Sequence, residues 1–323
     1  RAFSLPRRLS SRRLAMFGGF APLLFCLGCG KTPLAGVSVD RPFRPYVSPD
    51  TKALVSLDLE KVKTTEIYQR HQQQFNIPQL NALAEQTGLD PRRDLAALLV
   101  SWDGRNPLLV ARGSFRPDQL EKQLDEAHIT RTRYKAYTLF GNRKDWIAFP
   151  KSGFAVAGAA DSVHAALDSH AEGDGRIPDE LEQRMGQVPK NSQIWEVSRG
   201  GLPFAEIKMR SEMESALSNI ADYVSGTSIG ITLANGVNVQ AEINCVSNEG
   251  SQRVHDALRG LIGLSRLSTN ESRLDLLRLW DAVHVDRDQQ TVRVRVDLPA
   301  DLADKLLAEL PRFAGRAESL LNR

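Results

Sequence analysis

Two stretches of this chain repeat in the same order about 140 residues apart, so whatever fold it adopts must be built twice. Ser48-Pro49-Asp50-Thr51-Lys52-Ala53-Leu54-Val55 aligns with Val188-Pro189-Lys190-Asn191-Ser192-Gln193-Ile194-Trp195 when one residue is inserted. Each is a proline turn that enters a strand. Ala160-Asp161-Ser162-Val163-His164 then matches Ala300-Asp301-Leu302-Ala303-Asp304 at an offset of 140. Both follow a strand and open a helix, with Asp161 and Asp301 near the N-terminus, where a carboxylate is favoured. Between these markers each half carries one hairpin signal, Asp103-Gly104 in the first and Asn235-Gly236 in the second.

Hydrophobic periodicity fills in the elements. The first half reads as a strand at 53–59, helical segments across 61–87, and strands at 96–102 and 107–114. A helix from Pro117 to Glu126 follows, then strands near 130–140, 145–149 and 153–158 and a helix from Asp161. The second half reads as a strand at 193–199, a helix around 211–224, strands at 228–234 and 237–245, and helices near 249–265 and 271–280. It ends with strands at 282–286 and 291–297 and a helix from Pro299. Pro117 and Pro299 sit at first helical positions, where a missing N–H costs nothing.

The hairpin at 228–245 has a legible register. A two-residue turn would set Leu233 against Asn238 and mix the faces. A three-residue loop, Ala234-Asn235-Gly236 with Gly236 left-handed, pairs Leu233 with Val237 and Ile231 with Val239, gathering the aliphatics on one side. Val283, Val285, Val292, Val294 and Val296 repeat the alternation, with His284, Arg293 and Arg295 pointing the other way. The expected fold is therefore α+β. It has two similar halves in the order β-α-β-β-α-β-β-α, each a mainly antiparallel sheet with helices packed on one face.

The N-terminus carries a different kind of information. Residues 1–13 hold Arg1, Arg7, Arg8, Arg12 and Arg13 and no acid, and an apolar stretch from Leu14 to Gly28 follows. That stretch is shorter than the roughly 20 residues a spanning helix needs, and its flanks fit an export signal. Ser11-Arg12-Arg13 departs from a twin-arginine signal in the residues that follow it, which favours the general export route. Leu27-Gly28-Cys29 resembles the lipobox of bacterial lipoprotein precursors, although Cys26 stands where an aliphatic residue is usual and Leu27 is bulkier than common. The resemblance implies cleavage after Gly28, a lipid on Cys29, and an extracytoplasmic, membrane-anchored product. Gly30 after the acceptor further implies outer-membrane sorting in a cell with two membranes.

Two rival readings of this segment fail on local grounds. Gly28, Gly30, Lys31 and Thr32 mimic the end of a phosphate loop, but Phe25 occupies the position of its first glycine. Cys26 and Cys29 have redox spacing, yet they lie inside or beside the apolar run.

Removing the leader changes the charge. Its 28 residues hold five of the 42 Lys and Arg and none of the 39 Asp and Glu, leaving 37 against 39. The basic balance belongs to the leader, so nucleic acid is not an expected partner. Of three cysteines only Cys29 and Cys245 remain, and Cys29 is the lipid acceptor, so no internal disulfide is expected. The resulting organisation is a signal peptide at 1–28, a lipidated, Pro-rich tether at 29–50, a first repeat at 51–175, a linker at 176–190 and a second repeat at 191–323. Extended, the tether would reach roughly 60 Å.

The search for chemistry yields little. Gly226-Thr227-Ser228-Ile229-Gly230 fits a nucleophile-elbow pattern, but Ser228 enters a strand followed by a hairpin, not a helix. The six histidines, His71, His128, His164, His170, His255 and His284, make no zinc-binding helix motif. Cys245 continues the inward parity of its strand as a buried thiol. Asp168, Asp174, Asp179 and Glu180 miss the calcium-loop spacing, so no metal or other cofactor is expected.

Arg131, Arg133 and Lys135, with Arg293 and Arg295, form candidate basic faces for an acidic polymer, an envelope protein or phospholipid headgroups; a solvated sheet face is the plainer account. The body is loosely similar to domains of unknown function in exported bacterial proteins, a likeness that brings no catalytic residue. The expected role is binding or structural, in the periplasm or cell envelope. The alternative is an envelope hydrolase with its site in a cleft between the halves.

Overall fold

The computed structural model describes residues 36–75, 84–85, 90–114, 116–142, 144–173, 175–201 and 220–309. The leader, Cys29, Asp174 and most of the helix expected at 211–224 lie outside the described residues. The strands are β1 (Ala53–Asp58), β2 (Leu95–Trp102), β3 (Pro107–Gly113), β4 (Thr130–Tyr134), β5 (Tyr137–Gly141), β6 (Asp145–Lys151) and β7 (Phe154–Ala159). They continue as β8 (Ile194–Ser198), β9 (Val224–Thr232), β10 (Gly236–Cys245), β11 (Val283–Asp288) and β12 (Thr291–Pro299). All belong to one 12-stranded sheet in the order β11-β12-β10-β9-β8-β1-β2-β3-β7-β6-β5-β4, and its pairs are antiparallel. The chain is an α+β protein built on a large antiparallel sheet.

The repeat is visible in the topology. Outward from the centre the first half runs β1-β2-β3-β7-β6 and the second β8-β9-β10-β12-β11, with the hairpin β5-β4 added to the first half alone. The halves meet where β1 pairs with β8. Ala53 and Ile194 open these equivalent strands, and Ala53 pairs with Ser198 while Leu57 pairs with Ile194. That reciprocity places a local dyad at the pair Val55–Glu196. The halves are thus joined through main-chain hydrogen bonds.

Two boundary expectations change for one reason. The stretch expected to be a tether is part of the body from residue 36 onward: Val39, Phe43, Tyr46 and Val47 are buried in the main core. The stretch expected to be a linker contains helix Asp179–Met185, and Ile177, Leu181, Met185 and Val188 enter the same core. The two segments are equivalent lead-ins to β1 and β8, and they pack on each other reciprocally. A Cβ on Gly36 would run into the Met185 carbonyl and Gly186, and one on Gly175 into the Arg44 carbonyl and Pro45. Arg44 and Met185 each lie nine residues before their strand, at Ala53 and Ile194, so the two glycines press on equivalent points although they themselves lie 17 and 19 residues before those strands.

Helices cover both faces of the sheet, not one. Leu139 and Val156 join Val163, Ala166 and Leu167 of helix Ala160–Glu172, whereas their neighbours Phe140 and Ala155 join Leu120 and Leu124 of helix Pro117–Glu126. Successive strand residues point to opposite faces, so both sides of β5 and β7 are buried. The adjacent apolar residues Leu139-Phe140 and the run Phe154 to Ala157 are the pattern of a doubly covered strand. In the second half, helix Asn248–Ser268 packs Val254 against Val292, Ile243 and Val285. The β9–β10 hairpin has the expected register, Ile231 opposite Val239, and Gly236 has a φ of 122°. The strand expected at 130–140 breaks at a turn through Lys135, whose φ is 49°.

Candidate functional site

Helix Asp179–Met185 has three acids in its first turn, where they complement the helix dipole, and buries Leu181 and Met185, one turn apart, against the sheet. This lays the Arg184 side chain along β9 over Gly226. A Cβ on Gly226 would meet the Arg184 Cζ at 2.7 Å and also collide with the Ser198 carbonyl. Only glycine leaves room for the guanidinium there.

Arg184 borders a cavity of about 690 Å³. The sheet side of the cavity is Ser225, Asn244 and Cys245, where the β9–β10 ladder shifts register between Asn244 and Cys245. Such irregularities re-aim side chains and end regular pairing. The far wall is the β11–β12 turn, and Asn248 at the start of helix Asn248–Ser268 completes it.

Charge is distributed unevenly around this cavity. Its lining has two carboxylates, Glu180 and Asp288, and one cation, Arg184. Glu180 lies 4.0 Å from Arg199 and Asp288 3.4 Å from Arg293, so both acids have cationic partners. Arg184 has no ion pair among the described residues, and its Nε is buried without an acceptor. The Asn244 Nδ2 on the same wall also lacks one. Burial pulls the guanidinium below the ordinary arginine value, outweighing the attraction of Glu180 and Glu196. A buried donor without an acceptor is a place where a ligand oxygen would be welcome.

The nucleophiles at the cavity are engaged or suppressed. The Ser225 hydroxyl donates to the Asn244 carbonyl at 3.1 Å, and burial pushes the Cys245 thiol up. Ser228 stands in the middle of β9, within 3.3 Å of the Gln187 side-chain oxygen.

A second polar cluster lies on the opposite face of β9. Thr227, next to Gly226, donates to the Glu196 carboxylate at 2.9 Å, and Ser198 Oγ stands 2.6 Å from Thr227 Oγ1. The Ser198 Oγ also accepts from the Thr227 N–H at 3.0 Å. Burial pushes the Glu196 carboxyl up to about 7, against the hydrogen bonds from Thr227 and Ser198 and the field of Arg184. Sequence reasoning passed over both Arg184 and Glu196. Glu196 did have a signal, a carboxylate between Trp195 and Val197 in a short apolar strand.

The residues singled out from sequence are dispersed. Arg131 and Arg133 lie on β4 at one edge of the sheet, Lys135 lies in the following turn, and Arg293 and Arg295 lie on β12 next to the other edge. Ten strand spacings separate β4 from β12, about 48 Å along the sheet, so they form no common patch. Arg131 pairs with Asp125 at 2.9 Å, Lys135 with Asp168 at 2.6 Å, Arg293 with Glu242 at 3.1 Å and Arg295 with Asp286 at 3.0 Å.

His164 stacks on Tyr134 at 3.8 Å, His170 stacks on Tyr46 at 4.6 Å, and His71 Nε2 is 2.7 Å from Asp304. Asp168 accepts from Tyr134 and Lys135. Among the described residues no group of three or more His, Cys, Asp or Glu is placed to hold a metal.

No protein-family model and no curated protein matches this chain. Among solved structures it is similar to crystal form I of TP0453, with a TM-score of 0.46 and 11% identity over 84% of this chain and 98% of that one. It is likewise similar to crystal form III of TP0453, with a TM-score of 0.47 and 11% identity over 84% of this chain and 99% of that one.

Proposed function

We propose that this chain is a non-catalytic binding protein of the cell envelope, tethered to a membrane on its extracytoplasmic side by a lipid on Cys29. Its ligand site is the cavity beside Arg184. The observation that carries the binding reading is the charge balance there: both acids in the lining have a cation within 4.0 Å, and the one cation is half-buried and has no ion pair among the described residues. The serine on its wall donates to a main-chain carbonyl and burial keeps the cysteine protonated, which favours binding over hydrolysis. An acidic-polymer partner has less support, because four of its five proposed basic residues already hold carboxylates.

The tether rests on the basic leader, its apolar stretch and Leu27-Gly28-Cys29. Cys29→Ala should abolish metabolic labelling with palmitate and move the protein from the membrane fraction to the soluble one. Unchanged fractionation would reject the tether.

A further inference from the structure

We infer that the cavity beside Arg184 takes a small polyhydroxylated anion, with the guanidinium holding its carboxylate or phosphate and the cavity's carboxamides holding its hydroxyls. The inference deepens the binding reading and rests on it.

Three observations set the ligand's chemistry. Among the described residues the lining has a single charge without an ion pair, and it is positive. Arginine's planar fork of donors matches the paired oxygens of a carboxylate or phosphate. Glu180 and Asp288 form no ion pair with it, and each has another cation within 4.0 Å, Arg199 and Arg293.

The rest of the lining is rich in amides: Gln183, Gln187, Asn244, Asn248, Gln289 and Gln290. A carboxamide both donates and accepts, as a hydroxyl does, so a ring of them suits a ligand with several hydroxyl groups. Asn244 already contributes an Nδ2 without an acceptor. At about 690 Å³ the cavity is far larger than a bare phosphate and falls in the range of small-molecule sites.

A sugar phosphate and a sugar acid share this chemistry and differ in the anionic group. Calorimetric titration of the full chain with glucose 6-phosphate, glucuronate, glucose and inorganic phosphate separates them. At least one of the two charged sugars should bind, at least tenfold more tightly than glucose, and the tighter of the two identifies the anion. Arg184→Gln should lower affinity for the charged sugar at least tenfold, leave that for glucose unchanged and preserve the melting temperature.

If Arg184→Gln does not fold, Arg184→Lys serves in its place, because it keeps the charge and loses the fork; it should weaken the charged sugar relative to glucose. Equal binding of glucose and the charged sugars would overturn the anion but leave a binding protein. Tight binding that ignores Arg184, or no binding by any probe, would overturn the inference. The Cys29→Ala fractionation decides the tether independently of all these outcomes.

Discussion

Glu196→Gln should make the protein more stable at pH 8 than the wild type, by about 2–3 kcal/mol, and leave it little changed at pH 4. The native carboxyl titrates at about 7 against 4.5 for an ordinary glutamate. Between those values the unfolded chain has released a proton that the native state still holds, so raising the pH favours unfolding. The contribution of this group is fully present below pH 4.5, declines from there to about 7, and is lost above. Glutamine preserves an acceptor for the Thr227 hydroxyl and has no charge to bury. Urea denaturation across pH 4 to 8 measures the effect, and a variant that keeps the wild-type pH slope would show that Glu196 is not its source.

Gly175→Ala and Gly36→Ala should each destabilise the fold by about 2–3 kcal/mol, the range for forcing extra atoms into packed structure. Each new methyl would meet the backbone of the opposite lead-in, at Arg44 and Pro45 or at Met185 and Gly186, and backbone cannot move aside as a flexible side chain does. In a chain of this size that corresponds to about 2–4 °C of melting temperature for each kcal/mol. Both contacts close the same pair of lead-ins, so the double variant should lose less than the sum of the single losses once the lead-ins have separated. Thermal melts of the four proteins test this. A Gly175→Ala variant as stable as the wild type would refute the reciprocal packing.

Much of the fold was legible in the residues because it is written locally. Strand alternation and turn chemistry gave Ile231 opposite Val239, and proline at a first helical position marked the start of helix Pro117–Glu126. The repeat at 140 residues announced two halves, and the strand orders around β1 and β8 match outward from the centre. Even the double covering of β5 and β7 was present, in apolar runs that ignore alternation.

The candidate site was not legible in this way. Arg184 is one arginine among many in the chain. What distinguishes it is the absence of an ion pair among the described residues, and that depends on where Arg199 and Arg293 reach and on Gly226 lying beneath it. Prolines and a polar surface made the lead-ins read as tether and linker, although Val39, Phe43, Leu181 and Met185 are buried. Period and turn type are properties of a few neighbouring residues and survive in any context. Which segments, far apart in the chain, close on one another depends on surfaces that exist only once both have folded. By itself the sequence determined the elements, their duplication and the hairpin register. The tertiary structure alone decided the β1–β8 junction at Val55–Glu196, the exchange of contacts between the lead-ins, and the placing of one half-buried cation, without an ion pair among the described residues, beside a polar cavity.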